Sequence, residues 1–339
     1  MRFSDVAIEA VTYELPPLAV ASKELELRLR AVLQRLKLPL NPIEPLTGIT
    51  ERRFWEKGVP VHEVAARVAK RAIDEAGIAP DRIGVLINTS VCKDYLEPSM
   101  ASLIHGDLEL PGECINFDVA NACLGFLNGI EIAGRMIETG QVEYALVVDG
   151  ESAGEVVEST IRRLLSPFTT AREFWDQFAT LTLGSTAVAM VLSSARLSRT
   201  SHRVNGSVSM ADTSHSKLCL GTAERMVTDS TRLLKAGVIL ARSTWMLATQ
   251  QIQGWSESTI QQYICHQVGQ SHMSALCEAL GIDVKKCFLT FPRLGNVGPA
   301  AVPVTLAMAA EAGRVRQGDH VALMGIGSGL NVGMMSVTW

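Results

Sequence analysis

Apolar and polar positions along the chain alternate between helical and strand-like spacing, and the order of the blocks repeats. Val61 to Ala76 places apolar residues on one helical face and stops at Gly77, a residue suited to a helix C-terminus. Ile83 to Ile87 and Cys114 to Val119 are short apolar runs that predict strands. Leu124 to Thr139 reads as a helix with Gly140 beyond its end, and Tyr144 to Val148 as a strand buried on both faces. The second half follows the same order. Helices are predicted over Thr231 to Ile252, Ser271 to Ala279 and Pro303 to Ala312. Strands are predicted over Ile260 to Cys265, Cys287 to Phe291 and Val321 to Met324.

This order predicts an internal duplication, with a first half over residues 1–195 and a second over 196–339. Cys123 lies nine residues after Cys114, and Asn296 nine residues after Cys287; each follows a predicted strand and precedes a helix. Asn88-Thr89-Ser90 and Cys265-His266-Gln267 likewise each end a strand preceded by a long helix. Open α/β sheets gather functional residues at such strand ends. Residues near 155–181 have no match in the second half. Val156 to Leu165 and Ala171 to Phe178 look helical, and Phe168, Phe174, Trp175 and Phe178 supply an aromatic face. A surface helix pair over core and a lid over an apolar substrate both fit.

Composition narrows the class. The 339 residues are 47% hydrophobic and 19% charged, with net charge −4, enough chain for a large core in a soluble protein. No long basic run suggests a nucleic-acid partner, and no segment reads as a signal peptide or membrane span, so a cytoplasmic protein is expected. The seven cysteines lack Cys-x-x-Cys and zinc spacing, so reduced thiols and no metal site are expected.

Cys123 stands out among these thiols because it falls at a strand-to-helix junction, where unpaired N–H groups and the helix dipole favour a thiolate. Ala120, Ala122 and Gly125 permit a tight turn around it. His266 ends a strand and is placed to take a proton from Cys123 or to donate to a thioester oxygen. Asn296, in a Gly-Asn-Val-Gly-Pro turn, is raised above an ordinary turn residue by its matching offset. Gly325 to Gly329 has no helix after it, so it suits close backbone approach to a substrate, with the Ser328 N–H as an oxyanion donor, better than a nucleotide cradle.

Together, the segments Asp118 to Cys123, Cys265 to Gln267, Gly295 to Pro299 and Gly325 to Gly329 resemble the thiolase superfamily over nearly the whole chain. The resemblance implies duplicated α/β halves in a five-layer αβαβα arrangement and a Cys-His-Asn triad of the ketoacyl synthase III branch. Gly325 to Gly329 carries no second cysteine, unlike biosynthetic thiolases. Leu86 to Ser99, Tyr144 to Glu151 and Arg225 to Asp229 are similar to the head-to-head acyl-CoA condensing enzymes of long-chain olefin biosynthesis. That likeness implies a homodimer in which Glu97 reaches the partner's active site as the base. It also implies acyl-CoA as substrate, no permanently bound cofactor, and downstream olefin-pathway enzymes as possible partners. Lys217, Arg225 and Arg232 are candidates for the CoA phosphates. A decarboxylative 3-ketoacyl-ACP synthase III, a hydroxymethylglutaryl-CoA synthase and a non-catalytic acyl-CoA-binding homologue stay open as alternatives.

Overall fold

The computed structural model describes residues 1–222 and 224–339. Nine strands carry the fold: β1 Val6–Glu14, β2 Ile83–Asn88, β3 Ile115–Asp118, β4 Tyr144–Glu151, β5 Thr186–Ser194, β6 His202–Ala211, β7 Gln262–Cys265, β8 His320–Gly327 and β9 Asn331–Thr338. Their order across the sheet is β7-β8-β9-β6-β1-β5-β4-β2-β3. Within the first half β2, β3 and β4 run parallel, while β5 lies antiparallel to both β4 and β1. In the second half β7 and β8 are parallel, and β9 is antiparallel to β8 and β6. The same strand order and direction thus recur around β1 and β6, which pair with each other only at Ala7↔Arg203 and Ile8↔His202.

Helices fill three layers. They are α1 Val61–Ala76, α2 Met100–Asp107, α3 Gly125–Glu138, α4 Gly154–Leu164, α5 Ala171–Gln177, α6 Ser230–Gln251, α7 Gln270–Leu280 and α8 Ala301–Glu311. Strand side chains alternate between faces, and the alternation decides which layer each meets. Val85, Ile87 and Val147 join Ile264, Val321 and Leu323 around α3 and α8, a core shared by both halves. Leu86, Leu146 and Val148 turn the other way, onto α1 and α2. Tyr263, Ala322 and Met324 turn onto α6 and α7. The result is five layers, αβαβα. The helix α8 is apolar nearly all round, as a helix between two sheet faces must be. The strands β4 and β5 are buried at every position because they are covered on both sides.

Two expectations need correction. Cys287 to Phe291 does not form a strand: only the Tyr263↔Cys287 bridge marks the fifth strand position of the second half. The Gln267 side chain explains this, because its Oε1 accepts the N–H groups of Thr290 and Phe291 at 2.8 and 3.2 Å, which removes them from a ladder. Pro292 then opens a short helix, Phe291–Leu294. The aromatic residues of the 155–181 segment also do not share one face. Phe174 is fully buried against Leu25, Leu29 and Leu33 of the helix Ser22–Arg35, while Phe168 is 87% exposed. The segment does form two helices, α4 and α5, packed over a small core of their own. Among the described residues no helix is long and apolar enough to cross a membrane.

Candidate active site

The nucleophile candidate sits on a strained elbow. Ala122 has a left-handed backbone, φ 45°, which costs a non-glycine residue of order 1–2 kcal/mol. The turn lifts Cys123 off the end of β3 just before α3 begins at Gly125. The matching position in the second half is built alike. Gly295, φ 69°, precedes Asn296, and a Cβ there would lie 2.5 Å from the Thr182 carbonyl oxygen, so only glycine fits. Asn296 is then clamped by its own backbone, donating to Thr182 O at 2.8 Å and accepting from Gly184 N–H at 2.9 Å. Its Oδ1 accepts the Gly298 N–H at 3.0 Å.

His266 lies just past the end of β7, 2% exposed, with its N–H donating to Met324 O on β8 at 2.7 Å. Burial, reinforced by the neighbouring His272, pulls the imidazole down to about 3; a backbone hydrogen bond at Gly298 opposes this. His266 is therefore a neutral ring at physiological pH, suited to donating a hydrogen bond rather than to holding a proton. His272 is pulled down to about 4, also by burial. Gln267 pins the 288–291 segment beneath His266, with Nε2 donating to Phe288 O at 2.8 Å.

The glycine loop closes the site from the other side. A Cβ on Gly327 would lie 3.5 Å from the Cys123 nitrogen and 3.1 Å from Asn121 O. The backbone leading into Ser328 therefore runs directly against the Cys123 amide, as a two-donor oxyanion site requires. Ser328 itself is half-buried. Cys123 thus meets the loop leading into Ser328 at Gly327, His266 and Asn296 meet at Gly298, and Glu151 lies beside Gly298 and acts on Cys123.

The electrostatics contradict the expected thiolate. Cys123 is half-buried by surface exposure, yet its surroundings push the thiol up to about 12, first through burial and then through Glu151, Cys219 and Asp149. Burial, with the Glu151 charge behind it, outweighs the helix terminus, so the resting group is a thiol. Glu151 ends β4 fully buried, and burial raises it to about 7 despite N–H donors from Val91 at 2.6 Å and Cys92 at 2.9 Å. Asp149, raised further by burial and by Glu151, keeps its proton. Sequence reasoning did not single out this pair as site residues. The available signal was two acids closing an otherwise apolar, fully buried strand.

Glu97 stands apart from these residues. It is exposed at the tip of the 91–99 loop, beside Leu96, which is 91% exposed. The base of the loop is firmly held. Lys93 Nζ meets Asp118 Oδ2 at 2.6 Å, and Asp94 Oδ2 accepts the Val61 N–H at 2.7 Å. Lys217, Arg225 and Arg232 are all exposed. Lys217 precedes, Arg225 joins and Arg232 follows the strands of the hairpin Cys219–Gly221 and Met226–Thr228, whose Cys219 is felt at Cys123. Arg232 is loosely engaged with Asp229 at 3.9 Å. The helix α4 abuts the same hairpin, with Arg163 Nη2 donating to Glu224 O at 2.6 Å. No cluster of three or more metal-ligating side chains occurs among the described residues.

Two sequence-family models match the chain: 3-oxoacyl-[acyl-carrier-protein] synthase III over residues 117–213, and its C-terminal part over 251–339. The acyl-CoA:acyl-CoA alkyltransferase of Xanthomonas campestris is 43% identical over the full length of both chains. The chain belongs to this family. The alkyltransferase of Shewanella oneidensis is 39% identical, also over the full length of both. A beta-ketoacyl-[acyl-carrier-protein] synthase III of Vibrio vulnificus is 28% identical over 88% of this chain and 80% of its own. Crystal structures of Xanthomonas campestris OleA superpose with a TM-score of 0.97 at 43% identity and full coverage of both chains. They include variants at a histidine and at a glutamate. A cysteine variant holds lauric acid and lauroyl-CoA.

Proposed function

We propose that this member of the alkyltransferase family condenses two long-chain acyl-CoA molecules without decarboxylation, through an acyl-Cys123 intermediate. Full-length identity of 43% to an acyl-CoA:acyl-CoA alkyltransferase carries the reading, and the site chemistry is consistent with it. Cys123 attacks the first thioester; its proton leaves with the departing CoA sulfur, and the N–H groups of Cys123 and Ser328 hold the oxyanion. The second acyl-CoA then offers its thioester oxygen to neutral His266 and to Asn296, which stabilises enolate character at its α-carbon. Glu97 of a second copy removes the α-proton. The α-carbon attacks the acyl-Cys123 carbonyl, the Cys123 sulfur leaves and recovers a proton, and a 2-alkyl-3-ketoacyl-CoA results. Lys217, Arg225 and Arg232 hold the CoA phosphates at the mouth.

The need for Glu97 separates this reading from a malonyl-dependent synthase, which makes its carbanion by losing CO₂ and needs no such base. A homodimer is favoured by the surface around Glu97. The strand β3 is an unpaired sheet edge with Ile115 53% exposed, and Val91, Tyr95 and Leu96 expose apolar side chains on the adjoining loop. The test is to mix the purified protein with myristoyl-CoA alone, follow CoA release, and identify products by mass spectrometry. Coupled 2-alkyl-3-ketoacyl-CoA, or the keto acid that water releases from its thioester and the ketone that acid gives by losing CO₂, is the expected result. Product only after malonyl-ACP is added would rule the reading out.

A further inference from the structure

We infer that Glu151 is a positioning residue: its buried carboxylate fastens the loop that carries Glu97 to the turn that carries Asn296. This inference rests on the condensation reading above. One Glu151 oxygen accepts the Val91 N–H and the other the Cys92 N–H, the first two residues of the 91–99 loop. Ser152 N–H donates back to Cys92 O at 2.9 Å, so Cys92 is gripped on both sides by the end of β4. On its other flank the Glu151 carboxyl lies 3.5 Å from where a Cβ would sit on Gly298, the residue whose N–H binds Asn296 Oδ1. A single carboxylate thus binds the loop that presents a base outward and sits beside the turn that receives a substrate oxygen, close enough to line the space where a Gly298 side chain would go.

Its surroundings explain why the charge is informative. The titratable groups facing it are Asp149 from its own strand, Cys92 from the loop and Cys123 from the elbow; His266 lies beyond Gly298. None of these is a cation at neutral pH. Asp149 Oδ1 has no partner as an unprotonated oxygen, whereas a proton there turns it into a donor to Glu151. Two backbone N–H groups, the Cys92 thiol and the proton shared with Asp149 are then what holds the charge, with no cation among them. A buried carboxylate so weakly compensated is costly as a mere packing element. It takes up a proton as pH falls through about 7, and a protonated oxygen is a poor acceptor for one of the two loop N–H groups.

The consequence is a split between half-reactions. Acylation of Cys123 uses groups of the same copy, while condensation also needs Glu97 held in place on its loop. The ratio of coupled product to CoA released in the first turnover should therefore fall in the native protein as pH drops from about 8 to about 6. In Glu151→Gln, CoA release should hold or rise, because a charge that pushes the Cys123 thiol up is gone, coupled product per CoA released should fall about tenfold, and the pH step in the ratio should vanish. Glu151→Asp, which keeps the charge but is one methylene shorter, should retain the step at lower product yield. Loss of both half-reactions in parallel with lowered thermal stability would mark Glu151 as structural only and overturn the inference. So would a native-like ratio and pH step in Glu151→Gln. If Glu151→Gln does not fold, a flat ratio in the native protein alone overturns it. Absence of any coupled product from native protein and acyl-CoA alone is a different failure, that of the condensation reading itself.

Discussion

Replacing Glu151 by Gln should make the protein more resistant to alkaline than to acidic conditions, relative to the parent. The folded carboxyl titrates at about 7 against an ordinary 4.5, because burial disfavours its charge. For a carboxyl raised on folding, the native state holds its proton longer than the unfolded one. Its contribution is complete below the unfolded value of 4.5 and is lost as pH rises to about 7. That gap corresponds to about 3 kcal/mol in total, most of which falls between roughly pH 5 and pH 8. Gln cannot ionise and escapes this loss. It forfeits one backbone N–H partner, but that cost is the same at both pH values, so the difference isolates the buried charge. His266 and His272 titrate the opposite way, losing stability as pH falls below the ordinary 6.5, and they do so equally in both proteins. For a chain of 339 residues the difference translates to about 3–4 °C. Thermal denaturation of both proteins across this range is the assay. The variant's Tm relative to the parent should rise by that amount from pH 5 to pH 8. A constant or shrinking difference would refute the claim that burial raises the Glu151 carboxyl.

Three other outcomes follow from the site. Cys123 should react with iodoacetamide more than about a hundredfold slower than an ordinary exposed thiol at neutral pH, and faster as pH climbs toward its value of about 12; a rate plateau near neutrality, read by intact mass, would contradict the raised thiol. Gly295→Ala should cost about 2–4 kcal/mol, because the left-handed backbone and the Thr182 carbonyl leave no room for a Cβ; a denaturant midpoint within error of the parent would remove the steric argument. Arg225→Glu combined with Arg232→Glu should raise KM for acyl-CoA about tenfold or more with little change in kcat; an unchanged KM would take these residues off the CoA path.

Much of the layering was legible because the apolar runs Tyr144 to Val148 and Ile83 to Ile87 are central strands, and such strands need no context to be recognised. Cys123 and Asn296, at matched offsets in the sequence, each follow a left-handed residue, Ala122 or Gly295, at the end of a parallel strand position. What failed was decided by side chains from elsewhere. The strand at Cys287 to Phe291 was lost because Gln267, remote in sequence, took its N–H groups. The thiolate expectation failed because the helix terminus is a local signal, whereas the burial of Cys123 and the Glu151 charge come from elements remote in sequence. Phe174 and Phe168, six residues apart, parted because the helix Ser22–Arg35 covers one and nothing among the described residues covers the other.

The most direct measurement of the central claim uses two inactive variants in one dimer. Cys123→Ala lacks the nucleophile but keeps its base; Glu97→Gln lacks the base but keeps its nucleophile. Co-expressed with different tags and purified as the mixed species, they leave one composite site with Cys123 from one copy and Glu97 from the other. With myristoyl-CoA as the only substrate, the mixed dimer should make coupled product at about half the parent rate, while each variant alone makes none. A mixed dimer as inactive as its parents would contradict condensation by a base lent across the interface.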